Sequence, residues 1–317
     1  LLNYGVYCIK KQSFVLPKLN LMSGISSKWL YLFILSLIWG SSFILIKKAL
    51  LGLTPYQLGA LRVVITGIFL FLMGFKTIKT IKTADWKWLI ITGVLGSFIP
   101  SFFFAIAETE IDSAVVSVLN SLVPLNAILL GFAVFKITST KRQIIGVIIG
   151  FIGTTLLILK GSDLNPDQNY WYAIFVILST LMYATNVNII KKYLQHVKPL
   201  TIATGNFVGI FIPAIIVLLF TDFFSEETFN QPDFKMAMVY ITVLSFFGTA
   251  LAKILFNKLV QMSTPVFASS VTYLMPIVAL MWGFLDGETF SWLQAIASVI
   301  ILLGVYLSHK NQSKKMQ

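Results

Sequence analysis

Polar side chains that could hydrogen-bond a solute recur at helical spacing within one long apolar stretch of this sequence. The set is Ser113, Ser117, Asn120, Ser121 and Pro124. Intervals of three and four residues gather them on one face of a helix. An unpaired polar group facing lipid is costly, so this face should meet protein or a wet cavity. We predict a solute-lining face with Asn120 as its leading candidate; the alternative is hydrogen bonding between helices without a solute.

A second apolar stretch repeats this pattern. It carries Ser269, Ser270, Thr272, Tyr273 and Pro276. At a constant offset of 152 residues, Pro124 falls on Pro276 and Leu122 falls on Leu274. Each proline removes a backbone donor and frees a carbonyl one turn earlier. We therefore predict two matching kinks. They either bind solute through the freed carbonyls, gate the path, or are static. We also predict that Asn120 and Tyr273 share one cavity.

The elements that carry these residues are apolar helices. Of the 317 residues, 57% are hydrophobic and 11% are charged, and the mean hydropathy is +0.86. A bilayer core of about 30 Å needs about 20 helical residues. Ten runs approach or reach that length: 29–46, 56–75, 86–107, 113–135, 143–159, 170–190, 200–220, 236–257, 265–285 and 292–308. The sequence thus predicts an all-α integral membrane protein with ten transmembrane helices.

Basic residues gather in every second gap between these runs. When the ten runs cross the membrane in turn, 19 of the 24 Lys and Arg residues, including Lys253 and Lys258, fall on one side of the membrane, and four fall on the other. The positive-inside rule makes the richer side cytoplasmic and predicts a multi-pass plasma (inner) membrane protein with both termini in the cytoplasm. The net charge of +12 accordingly indicates contact with membrane lipids and no nucleic-acid partner.

The two halves of the chain resemble each other. At an offset of 144 residues, the segment 39–55 aligns with 183–199, so that Lys47 falls on Lys191. Each half has five helices, and an odd number inverts the second copy in the membrane. We predict two inverted five-helix repeats at 29–160 and 170–308, with basic cytoplasmic tails at 1–28 and 309–317. Met22 looks like a natural start, so we interpret 1–21 as a translation artefact or a flexible tail.

Ionisable residues near or inside the spans are functional candidates. Arg62 is the only charge that we place well inside a span, and it either braces the bundle or binds solute. Glu108 would be a proton carrier if it lies in the bilayer, because desolvation would raise its pKa. The alternative is that Glu108, Glu110 and Asp112 simply cap the short loop before the next helix.

Several short motifs resemble the drug/metabolite transporter superfamily, more narrowly its ten-helix EamA-type members. They are the run from Trp39 to Phe43, Lys47, the Leu61-Arg62 pair, and Pro124 with its counterpart Pro276. The resemblance implies alternating-access secondary transport, commonly export of amino acids or other small metabolites. It also implies a path lined by helices 1, 3, 4, 6, 8 and 9, and it favours the bracing role for Arg62. The substrate-path candidates are Trp39, Ser42, Ser117, Asn120, Asn186, Ser270 and Tyr273.

Catalysis has little support in the sequence. Both histidines, His196 and His309, fall in a cytoplasmic loop or tail, and no metal-ligand spacing or phosphate loop is present. We predict no enzyme activity, cofactor or metal, and a small-molecule substrate that is amino-acid-like, with a coupling proton through Glu108. The alternatives are an exporter of drugs or organic cations, a gated channel or a membrane-bound transferase. One deep charge suits zwitterionic or neutral metabolites and leaves organic cations and anions as alternatives. Both monomer and dimer stay open.

Overall fold

The structure, a computed structural model, describes residues 27–134, 141–164, 167–288 and 291–309. All the regular elements within these ranges are helical. The ten long helices are α1 Ser27–Ala49, α2 Pro55–Ile78, α3 Thr83–Ala107, α4 Ser113–Ala133, α5 Lys141–Leu164, α6 Tyr170–Tyr193, α7 Pro199–Leu219, α8 Phe234–Met262, α9 Pro265–Leu285 and α10 Trp292–His309. A short helix, Glu226–Phe229, lies between α7 and α8.

Eight of these helices are long and apolar enough to cross a membrane: α1 to α4 and α6 to α9. The predicted spans 143–159 and 292–308 fall on α5 and α10, whose apolar parts, Ile144–Leu157 and Trp292–Gly304, are shorter. The predicted segment 1–21 and nearly all of both cytoplasmic tails lie outside the described residues.

The helix starts follow from local sequence. Thr54 and Gln57 form a reciprocal capping box at α2, in which the Gln57 amide N–H donates to the Thr54 hydroxyl at 3.3 Å and Gln57 Oε1 accepts from the Thr54 amide at 3.0 Å. Pro55, Pro199 and Pro265 begin α2, α7 and α9, where a missing amide donor costs nothing. The turns that precede these three helices are short because each helix begins abruptly at its proline.

Four of the helices are interrupted, and the interruptions match between the two halves. In α3 the segment Val94–Phe98 is π-helical, as is Leu244–Leu251 in α8. The α4 helix breaks after Asn120 and resumes at Val123. In α9 a 3₁₀ segment, Ser270–Tyr273, separates two α-helical parts. Such breaks free backbone groups in the middle of a bundle.

The packing brings the two halves together. α1 packs against α8 and α9, and α6 packs in the same way against α3 and α4. α2 packs against α7. α5 and α10 pack against each other at one side, where Gly304 lies directly on the backbone of Gly146 and Gly150. The arrangement leaves α1, α3, α4, α6, α8 and α9 around a central space.

Candidate functional site

A cavity lies among the interrupted helices. The cavity has a volume of about 110 Å³, which is room for several water molecules. Side chains and backbone of α1, α2, α3, α4, α6, α8 and α9 line it. The six helices that the family resemblance implies all contribute, and α2 adds Arg62.

Four of the predicted path residues line this cavity: Trp39, Ser42, Asn120 and Asn186. The Trp39 indole N–H donates to the carbonyl of Gly248 at 2.9 Å, which ties α1 to the π-helical segment of α8. The Ser42 hydroxyl donates to the carbonyl of Ile38 at 2.9 Å, one turn back in its own helix. Among these four residues, the two asparagines therefore keep unused hydrogen-bonding capacity.

Three other predicted path residues do not line the cavity. Ser117 and Ser270 are buried, and their hydroxyls donate to the carbonyls of Ala114 and Phe267 in their own helices. The Tyr273 hydroxyl is buried without a partner among the described residues. Ser269 and Thr272 of α9 line the cavity. The offset of 152 residues places Ser117 on Ser269 and Asn120 on Thr272, so the repeat alignment contained this signal.

The two predicted kink residues sit just after the breaks. Pro124 and Pro276 are in the first turn of the helical segments Val123–Ala133 and Met275–Leu285. A proline in the first turn removes no helical hydrogen bond. The prolines thus begin the second part of each helix, and neither lines the cavity.

Arg62 reaches the cavity from α2. Its Nε–H donates to the Thr249 hydroxyl at 2.9 Å, and its backbone carbonyl accepts from the Ser245 hydroxyl at 3.4 Å. Both partners belong to the π-helical region of α8, so the residue connects α2 to α8. Arg62 also lines the cavity. It therefore has both the contacts that a bracing role needs and a position beside the space in which a solute could bind.

Lys253 corrects the expectation of a single deep charge. The positive-inside count placed it at the cytoplasmic side, but it lies within α8 and lines the cavity, with only 7% of its surface exposed. Its ammonium donates to the Ser97 hydroxyl at 2.6 Å and to the carbonyl of Gly96 at 3.1 Å. Its position within the predicted span 236–257 could have indicated a buried charge. Lys253 follows Thr249 by four residues, so the two side chains lie on the same face of the helix.

Three asparagines around the cavity have buried amide oxygens that lack partners among the described residues. Asn120, Asn186 and Asn257 line it, and the Oδ1 atom of each is buried with no partner among the described residues. Amide oxygen and nitrogen can be exchanged by rotating the group, so each of these residues can accept from or donate to a ligand. Asn257 was missed by the sequence analysis because it lies where α8 was expected to end.

Aromatic rings form another wall. Trp39 packs against Phe256 with ring centroids 5.1 Å apart, and Phe104 stacks on Tyr183 at 5.9 Å. All four rings line the cavity. The site therefore combines cations, amides and an apolar surface, which can hold a small solute with one polar end.

Ion pairs hold the end of the bundle where α1 finishes, which we name the Lys47 end. The Lys47 ammonium contacts Asp286 at 3.1 Å and Glu288 at 2.9 Å, and Lys48 pairs with Asp286. Burial opposes ionisation of Asp286, but its hydrogen bonds to Lys48 and Lys47 and their charges hold its pKa below the ordinary value. Glu288 also accepts from the backbone amides of Ser113 and Ala114, at 3.3 and 3.2 Å.

Glu288 thus accepts from the first amides of α4, beside the short loop that carries Glu108, Glu110 and Asp112. Asp112 precedes α4 without a side-chain capping bond and accepts from Gln168 at 2.6 Å. Glu108 lies one residue beyond α3 and is buried; it accepts from the Ser113 hydroxyl at 2.8 Å, and its other oxygen has no partner among the described residues. Burial raises the pKa of the Glu108 carboxyl well above its ordinary value.

The opposite end of the bundle, which we name the Lys191 end, uses different contacts. The Lys191 ammonium donates to the carbonyl of Ser263 at 2.7 Å and to those of Val260 and Gln261 at 3.4 Å, where it meets the negative end of α8. His196 contacts Asp85 at 3.0 Å, and the rings of Trp88 and Tyr193 stack with centroids 3.8 Å apart. These last two contacts join the two halves.

Comparisons with known proteins agree with this architecture. The model of the EamA-like transporter family matches residues 27–159 and 170–309. The chain is 24% identical over 283 residues to the uncharacterized inner membrane transporter YedA of Escherichia coli, covering 87% of this chain and 88% of YedA. It is 27% identical over 260 residues to protein PecM of Dickeya dadantii, covering 78% and 80% of the two chains.

A solved structure has the same fold. It is described only as "Crystal structure of protein", and it superposes with a TM-score of 0.64 over 90% of this chain and 97% of its own, at 16% identity. The family match covers both halves of this chain, and the apolar helices are those of a multi-pass membrane protein. The chain is therefore a membrane transporter of the EamA-like transporter family, within the drug/metabolite transporter superfamily.

Proposed function

We propose that this protein is a secondary active transporter that exports a small, amino-acid-like metabolite by alternating access between two inverted five-helix halves. The observation that carries the proposal is the buried cavity, which polar side chains of both halves line in the middle of four interrupted helices. Broken helices around a midplane site are typical of secondary transporters. The breaks supply both unpaired backbone groups and points at which a helix can bend.

Contacts at the two ends of the bundle support alternating access. At the Lys47 end, Lys47 of the first half pairs with Asp286 and Glu288 of the second. At the Lys191 end, Asp85 and Trp88 of the first half contact His196 and Tyr193 of the second. These are few, polar or stacked contacts that can separate without opening the apolar core. In the proposed cycle one set separates while the other stays closed.

The proposed orientation follows from charge. With Lys253 removed from the count, eighteen basic residues still fall on the side of the Lys191 end and the termini. The positive-inside rule then places the Lys191 end and both termini in the cytoplasm, and the Lys47 end outside the inner membrane. The coupling ion in this proposal is a proton on Glu108, because one oxygen of its buried carboxyl has no partner among the described residues and the carboxyl lies next to the Lys47 ion pairs.

A metabolite-retention experiment tests the transport function. Cells with and without the protein are given dipeptides that release amino acids inside, and the accumulated and exported metabolites are measured. We expect cells that contain the protein to retain less of one metabolite, and we expect Asn120→Leu at equal abundance to abolish the difference. Efflux that never runs uphill, even with a proton gradient, would contradict a carrier and favour a channel. Identical metabolite pools in the two strains would contradict transport of such solutes.

A further inference from the structure

Two cationic side chains enter the cavity without an acidic partner there. Lys253 comes from α8 and Arg62 comes from α2, and both are at least 90% buried. Among the described residues, no Asp or Glu lines the cavity, and no carboxylate lies within 4.0 Å of either cation. Burying an unpaired charge is costly, so a cavity of this kind favours an anion from outside the protein.

The cations keep hydrogen-bond donors available for such an anion. An ammonium has three donors and a guanidinium has five. Among the described residues, Lys253 uses two acceptors, the Gly96 carbonyl and the Ser97 hydroxyl. The Arg62 side chain uses one, the Thr249 hydroxyl, through Nε. The terminal nitrogens of Arg62, which form the fork that matches a carboxylate, therefore stay open.

The two cations are held close to each other. The Thr249 hydroxyl, which positions Arg62, precedes Lys253 by four residues on α8, which is about 6 Å along a helix. Like charges repel, so their proximity costs free energy until an anion lies between them. One anionic group can accept from both.

The rest of the cavity suits a ligand that also donates hydrogen bonds. The unpartnered oxygens of Asn120, Asn186 and Asn257 are acceptors. Because each amide can turn to accept or to donate, these residues suit a ligand that has a carboxylate and a neighbouring hydroxyl or ammonium group. The rings of Trp39 and Phe256 offer an apolar wall to its carbon skeleton.

We propose that Lys253 and Arg62 form a carboxylate-binding site, and that the transported solute is a small organic acid whose hydroxyl or ammonium group donates to the cavity asparagines. This inference rests on the transport function proposed above and narrows its substrate class. It predicts that organic cations are poor substrates, because Arg62 and Lys253 would repel them.

The test compares acids with their amides in proteoliposomes that contain the purified full chain. The probes are labelled amino acids, hydroxy acids, their carboxamides, a phosphate monoester and the lipophilic cation tetraphenylphosphonium. We expect uptake of at least one carboxylate, and competition by its carboxamide at least tenfold weaker than by the unlabelled acid. This comparison uses the unaltered protein, so it decides the point even if every variant fails to fold.

Variants then assign the preference to Lys253. Lys253→Met removes the charge at similar volume, and we expect it to abolish the preference for the acid over the amide; Lys253→Arg should keep part of it. The control is Lys258→Met, an exposed lysine on the same helix, which should leave the preference unchanged. Folding of each variant is checked by its melting temperature in detergent.

The outcomes separate the two proposals. If the protein carries tetraphenylphosphonium or the phosphate monoester in preference to every carboxylate, transport stands and the carboxylate site is wrong. Equal competition by acid and amide, or an acid preference that survives Lys253→Met, also overturns the site. If the proteoliposomes carry none of the probes above the rate of protein-free vesicles, both the site and the transport function proposed for it are contradicted.

Discussion

The ammonium of Lys253 donates to the Ser97 hydroxyl at 2.6 Å, and this contact joins α8 of the second half to α3 of the first. Lys253 also donates to the carbonyl of Gly96, while Trp39 of the first half donates to the carbonyl of Gly248. Gly96 and Gly248 lie 152 residues apart, each within a π-helical segment. Each half thus exposes one backbone carbonyl to a side chain of the other half, and both contacts border the cavity.

The Trp39 contact gives a first prediction. Trp39→Phe keeps an aromatic ring against Phe256 but removes the N–H that donates to Gly248. We expect transport to fall severalfold, because the π-helical segment of α8 loses its bond to α1, while abundance changes little. Trp171→Phe is the matched control, since Trp171 is 86% exposed. Initial transport rates at equal abundance measure the effect, and equal rates for the two variants would contradict it.

The cavity amides give a second prediction. Asn120→Leu and Asn186→Leu remove hydrogen-bonding capacity without opening a void, and each should reduce transport at least tenfold with a small change in melting temperature. Ile148→Val is the control because Ile148 is on α5, exposed and away from the cavity. Normal transport by both amide variants at normal abundance would mean that these amides only pack helices together.

Thr249 tests how Arg62 acts. Thr249→Val removes the hydroxyl that accepts from Arg62 Nε and keeps the side-chain volume. Because the bond involves a buried charge, we expect the free energy of unfolding to fall by about 1.5–3 kcal/mol and the transport rate to fall with it. In the control, Thr242→Val, the lost hydroxyl bonds only to Met238 of its own helix on an exposed face. A stable Thr249→Val protein with full transport would show that Arg62 needs no positioning.

The ion pairs at the Lys47 end should make the stability of the protein sensitive to acid. The pKa of Asp286 lies below its ordinary value of 3.8, so its ion pairs contribute stability above about pH 4. That contribution is lost as the pH falls below 3.8 through the lower pKa of the folded state. Melting temperatures of the purified protein between pH 3 and 6 should therefore drop at the acid end, and Asp286→Asn should flatten this drop. The exposed Glu227 supplies the control, Glu227→Gln; an identical acid profile for Asp286→Asn would contradict the assignment.

Hydrophobic run length predicted the eight helices that are long enough to cross a membrane, together with the two shorter ones, α5 and α10. Helical spacing predicted Asn120, and the family resemblance implied Trp39, Ser42 and Asn186; all four line the cavity. The choice of Ser270 and Tyr273 did not use the repeat offset, which places Ser117 on Ser269 and Asn120 on Thr272, two residues of α9 that line the cavity. The count of basic residues by loop misplaced Lys253, because such a count cannot show that a lysine near the end of a span turns into the bundle. Partners distant in sequence, such as Lys253 with Ser97, become visible only after the helices are packed.

Thiol labelling at Ser101 tests most directly whether the cavity is the transport path. Ser101 lines the cavity from α3, and Cys8 is the sole native cysteine, so Cys8→Ser provides a background free of cysteine. We predict that an aqueous thiol reagent blocks transport by Ser101→Cys, that the transported solute slows this labelling, and that modified Ile148→Cys transports normally. Full modification of Ser101→Cys with an unchanged transport rate would contradict a path through this cavity.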